Sequence, residues 1–323
     1  MKRVASLPCL RSQTAVPLQT AGDSCAVVRK SGTKDWAIIL YDLVKMRISF
    51  LAMLSAAFGY ILATGRASTE MLVPVTSVFI LACGASTINQ YQENEFDALM
   101  ERTKGRPIPS GRVAPLLVLR VGLLLLLMGS FTLLLNGDVT VLVLGLFAVF
   151  WYNGIYTYLK RKSAFAAVPG ALVGAIPAVM GWASGRGSLS LDPPIVATSL
   201  FFFMWQMPHF WLLLLGFDKE YQKAGFPSLV TRFDASSLRR IIFVWICATA
   251  VSSILIPLVS LMESYLVFGG LFAGGAWLIR QAIGLLGDSR GAFSPNSIFN
   301  SINLYALWVM FLLVAEQLAH HCH

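Results

Sequence analysis

Met71-Leu-Val-Pro-Val-Thr-Ser-Val-Phe-Ile-Leu-Ala-Cys-Gly-Ala-Ser-Thr-Ile-Asn89-Gln-Tyr-Gln-Glu93-Asn-Glu95-Phe-Asp97-Ala-Leu-Met-Glu101 passes from uncharged apolar sequence into acid within the length of one long helix. The nine residues from Glu93 to Glu101 hold four of the chain's sixteen acids. Hydrophobic residues make up 56% of the 323 residues and charged residues 13%. A soluble globular protein carries about 25% charged residues, so the composition is that of an integral membrane protein. Hydrocarbon about 30 Å thick needs roughly 20 apolar residues per helical span.

Nine such spans are expected, near 40–64, 71–90, 115–135, 139–159, 164–184, 195–215, 239–261, 264–286 and 298–318. The expected fold is therefore all-α, a polytopic bundle of nine transmembrane helices. Only the first, with Asp42, Lys45 and Arg47 in its first two turns, and the sixth, with His209, carry polar features to explain. With the N-terminus cytoplasmic and the C-terminus outside, 23 of 25 Lys and Arg residues fall on the cytoplasmic side and only Arg66 and Arg186 opposite, as the positive-inside rule requires. That bias accounts for the net charge of +9 without nucleic acid.

Residues 1–37 are basic, polar and poor in acids, and lack the apolar core of a signal peptide. They are read as a disordered cytoplasmic tail, with a mitochondrial transit peptide as the alternative. Residues 38–319 form the membrane domain, and His320-His321-Cys322-His323 is a frayed end. Cys9, Cys25, Cys83, Cys247 and Cys322 show no paired spacing for zinc or redox work.

Asn89, Glu93 and Asp97 lie four apart, so on a continuing helix they drift only about 40° per step and form one polar stripe. Oxygen donors of this kind suit Mg²⁺, held by one or two carboxylates together with substrate phosphate oxygens. Arg102, Lys104, Arg106 and Arg112 follow, and the arginine fork matches phosphate geometry. Pro107-Ile-Pro-Ser-Gly111 turns the chain back toward the next span. Together they read as a site for a metal-bound diphosphate; the plainer reading is a salt-bridged helix end.

A second acidic loop repeats the pattern: Trp205-Gln-Met-Pro208-His209-Phe-Trp211 leads to Asp218-Lys-Glu220-Tyr221. Ionisable groups inside a membrane usually face a cavity or a partner. His209 lies about 15 Å along the helix from Asp218 and Glu220. It either points into the same cavity or is a neutral histidine bonded to a neighbouring helix. Lys160 and Arg161, which end the fourth span after Tyr156-Thr-Tyr-Leu, either extend the phosphate site or anchor the helix. Gly170, Gly174, Pro177, Gly181 and Gly185 present a small-residue face for close helix packing.

The ladder Asn89-x₃-Glu93-x₃-Asp97 with Met100-Glu101-Arg102-Thr103, the segment from Tyr156 to Arg161, the span ending Gly181-Trp182, and Pro208-His209-Phe210-Trp211 followed by Tyr221-x-x-Ala224-Gly225-x-Pro227 resemble the protoheme IX farnesyltransferases. These are a branch of the UbiA-type intramembrane prenyltransferases, and the resemblance runs from about residue 40 to 318. Three positions depart from the family pattern. Glu93 stands where Asp is common, Glu220 fits the family's second acid better than Asp218, and Lys45-Met46-Arg47 replaces Lys-Pro-Arg.

The resemblance implies farnesyl transfer from farnesyl diphosphate to a vinyl group of haem b, with water added. The implied products are haem O and diphosphate. It implies Mg²⁺ on Asn89, Glu93, Asp97 and the second-loop acids Asp218 and Glu220, with Asn89, Glu93, Asp97, Arg102 and Glu220 serving catalysis. Arg102, Lys104, Arg106, Lys160 and Arg161 would bind diphosphate, while His209, Trp205, Trp211, Lys45 and Arg47 would meet haem. The implied setting is the bacterial inner membrane, alternatively the mitochondrial one, with haem A synthase or terminal-oxidase assembly proteins as partners. A prenyltransferase acting on a quinone precursor and a membrane transporter are the competing readings. Acids gathered at one face rather than near the midplane disfavour the transporter.

Overall fold

A computed structural model describes residues 33–320 apart from 228, 230–232, 261, 263 and 288–293. The expected tail up to residue 32 and the end at 321–323, with Cys9, Cys25 and Cys322, lie outside the described residues. The described chain is helical, without strands. Ten helices follow in order: α1 (Thr33–Leu43), α2 (Met46–Thr64), α3 (Leu72–Leu99), α4 (Pro115–Leu135), α5 (Val139–Leu159), α6 (Ala167–Arg186), α7 (Pro193–Lys223), α8 (Ala235–Val259), α9 (Tyr265–Ala282) and α10 (Pro295–His320). Among the described residues nine segments, α2 to α10 with their flanking turns, are long and apolar enough to cross a membrane.

Two corrections concern the start of the chain. Residues 33–37, read as tail, are the first half of α1. The first span does not begin at 40, because Lys45 adopts φ 46° and ψ 54° and separates α1 from α2. A left-handed residue cannot continue a right-handed helix, and hydropathy carries no trace of it. α1 packs through Ile39 and Leu43 against Ile108, Val113 and Val118. Its Trp36, Ile38, Leu40 and Tyr41 face outward.

Length explains how two acidic stretches leave the apolar layer. The segments Thr69–Leu99 and Pro193–Lys223 each have 31 residues, roughly 46 Å of helix against about 30 Å of hydrocarbon. Their last turns therefore project beyond the layer, one bearing Glu93 and Asp97 and the other Asp218 and Glu220. Phe217, at φ −124° and ψ 19°, departs from helical geometry and kinks the end of α7.

The centre of the bundle is the α2–α6 pair, which contributes to both large apolar cores. One core joins α2 and α6 to α3, α4 and α5 through Val78, Leu81, Leu133 and Val141. The other joins them to α7 through α10 around Phe201, Ile242, Leu271 and Tyr305. Gly59 faces the Ala178 carbonyl and Gly181 the Ala56 carbonyl, so closely that a methyl group on either glycine would collide with backbone. The glycine face read from the sequence thus makes the contact expected of it. Leu123, Leu124, Leu127 and Leu135 on α4 are exposed, as a bilayer-facing helix requires.

Candidate active site

The stripe on α3 is buried: Asn89 is 1% exposed, Glu93 5% and Asp97 2%. A buried carboxylate must be paired, and each rung meets a cation from a different element. Lys45 Nζ, at the α1–α2 break, donates to Asn89 Oδ1 at 2.7 Å. Lys160 Nζ, at the end of α5, lies 2.5 Å from Glu93 Oε1. Arg106, in the loop after α3, donates through a terminal nitrogen to Asp97 Oδ2 at 2.6 Å. Desolvation, reinforced by the neighbouring Arg106 charge, brings the Lys45 amine down to about 7.

A polar lattice fixes these groups. Asn89 Nδ2 donates to Thr157 Oγ1 at 3.1 Å. Asn153 Nδ2 donates to Ala85 O and to Gln92 Oε1, both at 3.0 Å. Gln92 Nε2 returns a bond to Asn153 O, and Arg161 donates to Gln92 O at 2.6 Å while lying over the Phe96 ring. Residues Phe150–Tyr156 of α5 are wound as a π-helix, a form frequent at functional sites. Within it Asn153 is buried, and Tyr152 stacks on Tyr156 at 5.9 Å between ring centres. Gln90 Nε2 donates to the Asp42 and Leu43 carbonyls and so holds the break at Lys45 open.

The two acidic loops meet. The Arg102 backbone N–H donates to Glu220 Oε2 at 3.0 Å, and the Arg102 guanidinium lies over the Phe217 ring. Met100, Ala224 and Phe226 form a small apolar cap with Phe96 and Tyr221. Asp218 accepts from Gln222 Nε2 at 2.6 Å. Among the described residues no three His, Cys, Asp or Glu side chains form a metal-holding group, so Asp218 and Glu220 do not join Glu93 and Asp97 in one cluster.

His209 is held on α7. Its Nδ1 is 2.8 Å from Asn303 Oδ1 of α10, and its ring packs against Trp205 at 5.0 Å and Phe299 at 4.6 Å. Trp205 Nε1 donates to Ile302 O. Ring contacts lead from this histidine to the ladder: His209 to Phe210, Phe210 to Tyr156, and Tyr156 to the Lys160 ammonium at 5.6 Å.

Not every expected residue takes part. Arg47 is exposed and donates to Tyr41 Oη, whereas Lys45 beside it turns inward to the ladder. Trp211 packs against Trp245 in the apolar core, on the side of α7 away from His209. Lys104 pairs with Glu101 in solvent. Sequence reasoning missed Gln92, Asn153, Thr157 and Asn303. Each is an uncharged polar residue, Gln92 beside the acids of the ladder and the other three among apolar and aromatic neighbours, and the four-residue spacing of Asn153 and Thr157 was the available signal.

Residues 52–314 match the UbiA prenyltransferase family. The chain belongs to that family. A protoheme IX farnesyltransferase of Oleidesulfovibrio alaskensis is 32% identical over 282 residues, 86% of this chain and 95% of that protein. Among solved structures, digeranylgeranylglyceryl phosphate synthase superposes with a TM-score of 0.70 at 13% identity, covering 88% of this chain and 99% of that one. A UbiA homologue of Archaeoglobus fulgidus bound to GPP and Mg²⁺ gives 0.59 at 17% identity, covering 87% and 98%. At these identities the superpositions speak for the fold alone. UbiA family membership makes the protein a multi-pass membrane prenyltransferase.

Proposed function

We propose that this UbiA enzyme transfers farnesyl from farnesyl diphosphate to a vinyl group of haem b, with addition of water, giving haem O and diphosphate. The observation that carries the reading is the continuous path from the cation-paired ladder through Tyr156 and Phe210 to His209. The 32% identity to a protoheme IX farnesyltransferase over nearly all of that protein supports the acceptor.

The allylic C–O bond of the donor breaks with its electron pair on the departing diphosphate. The farnesyl carbon then bonds to the vinyl terminus, water supplies hydroxyl to the other vinyl carbon, and a proton is released. Lys160, Arg106 and Lys45 converge where charge develops on the leaving group, and preorganised donors of this kind are among the largest contributions to catalysis. Asn89, Glu93 and Asp97 form a one-sided oxygen set that fits Mg²⁺ accompanied by phosphate oxygens. When bound there the ion neutralises diphosphate charge. Arg102, anchored to Glu220, closes the loops over this end. Tyr152, Tyr156 and Phe210 supply apolar walls that keep water from the allylic cation, and their ring faces favour positive charge.

By the distribution of basic residues, the ladder lies at the cytoplasmic face of the membrane, with the bacterial inner membrane as its setting. Purified protein given haem b, farnesyl diphosphate and Mg²⁺ is expected to form haem O, and chelation of the metal to stop the reaction. No product with all three supplied overturns the assignment. Product from a quinone precursor in place of haem redirects the acceptor.

A further inference from the structure

Asn303 is a polar side chain on an apolar helix, eight residues into α10, and it approaches the one histidine within α7. Its Oδ1 accepts hydrogen bonds and cannot donate them, so at 2.8 Å from Oδ1 the His209 Nδ1 must carry the proton. A neutral imidazole protonated at Nδ1 presents Nε2 as a bare lone pair. Among the described residues nothing hydrogen-bonds to Nε2. Trp205 and Phe299 both pack against the ring, and Trp205 is itself tied to the Ile302 carbonyl on α10. Asn303 and Ile302 thus hold His209 and Trp205 in one register between α7 and α10.

From this geometry we infer that Asn303 is a positioning residue, which fixes the His209 tautomer and ring orientation so that Nε2 ligates the iron of the haem acceptor. Ligating histidines characteristically donate their other ring N–H to an oxygen acceptor, and loss of that acceptor typically costs 10–100-fold in metal affinity. The inference rests on the haem reading proposed above.

The test is ferric haem b titration into the purified protein in nanodiscs, read by Soret and Q-band absorption, for wild type, His209→Ala, Asn303→Leu and Asn303→Asp. His209→Ala is expected to lose the nitrogen-ligated spectrum. Asn303→Leu is expected to weaken haem binding by about 10–100-fold and to raise KM for haem more than it lowers kcat. Affinity for inorganic pyrophosphate with Mn²⁺, read at the ladder, should stay unchanged in that variant. Asn303→Asp, ionised beside the Nδ1–H, keeps the oxygen acceptor and adds negative charge, so it should retain tight binding and move the Fe(III)/Fe(II) potential negative. Should Asn303→Leu fail to fold, the Asn303→Asp potential still decides, and an unmoved potential refutes the inference. Wild-type affinity and spectrum in Asn303→Leu, alongside their loss in His209→Ala, would overturn the role of Asn303 while leaving haem ligation standing. An unchanged spectrum in His209→Ala would overturn ligation itself.

Discussion

At the scale of single residues, Glu93 carries the most weight. It stands where the family resemblance led us to expect aspartate, and its longer arm reaches Lys160 of another helix. Glu93→Gln, which keeps shape and removes charge, should lower product formation by about a hundredfold, the scale of removing one preorganised electrostatic partner. Glu93→Asp should retain measurable turnover. Wild-type rates in both would return the ladder to a charged helix end. Of the second-loop acids, Glu220 accepts from Arg102 across 118 positions of sequence. Glu220→Ala should therefore reduce kcat/KM about tenfold, since a charged hydrogen bond contributes about 1.5 kcal/mol. An unchanged kcat/KM in steady-state kinetics refutes this role. The acids, arginines and His209 were legible from sequence because ionisable groups in apolar surroundings need a reason. Arg47 and Trp211 were grouped with them by proximity in sequence, and helix geometry sends both elsewhere.

At the scale of elements, the break at Lys45 and the glycine seam between α2 and α6 are the tightest features. Lys45 combines a strained backbone with a side chain bonded to Asn89, and substitutions can separate the two. Lys45→Gly relieves the positive φ and Lys45→Ala does not. The glycine variant should be the more stable by about 1 kcal/mol in chemical denaturation, while both lose activity with the ammonium. Equal stability would argue that the break stores no strain. In the seam, Gly181→Ala drives a methyl into the Ala56 carbonyl. A cost of about 3 kcal/mol, at the upper end for overpacking, is expected. Gly284→Ala, with open space around the added carbon, is the control, and equal melting temperatures would refute the close approach. Span positions were legible because twenty apolar residues can do little else in a bilayer. The π-helical turn in α5 was not, since nothing in hydropathy distinguishes it from an α-helical turn.

At the scale of the whole molecule, two overlong helices deliver acids to one face, and the cap of Met100, Ala224 and Phe226 locks the loops together over them. Which face that is can be measured. If the site is cytoplasmic, a membrane-impermeant thiol reagent applied to intact cells should label Ser188→Cys and spare Ser110→Cys until the cells are opened. Ser110 lies in the loop after α3 and Ser188 in the loop after α6, and both are exposed. Labelling of Ser110→Cys in intact cells would invert the topology.

By itself the sequence determined the number and order of the spans, the side on which charge collects, and the polar stripe of Asn89, Glu93 and Asp97. Hydropathy, charge and helical period are local quantities, fixed by neighbours a few positions apart. Only the tertiary structure decided that Lys45 belongs to the ladder and that each rung has its own cation. It alone also showed that Glu220 closes onto Arg102 and that Asn303 meets His209. Lys45 and Asn89 are 44 positions apart, Asn303 and His209 94, and Arg102 and Glu220 118, so most of these pairings join segments that no local pattern relates.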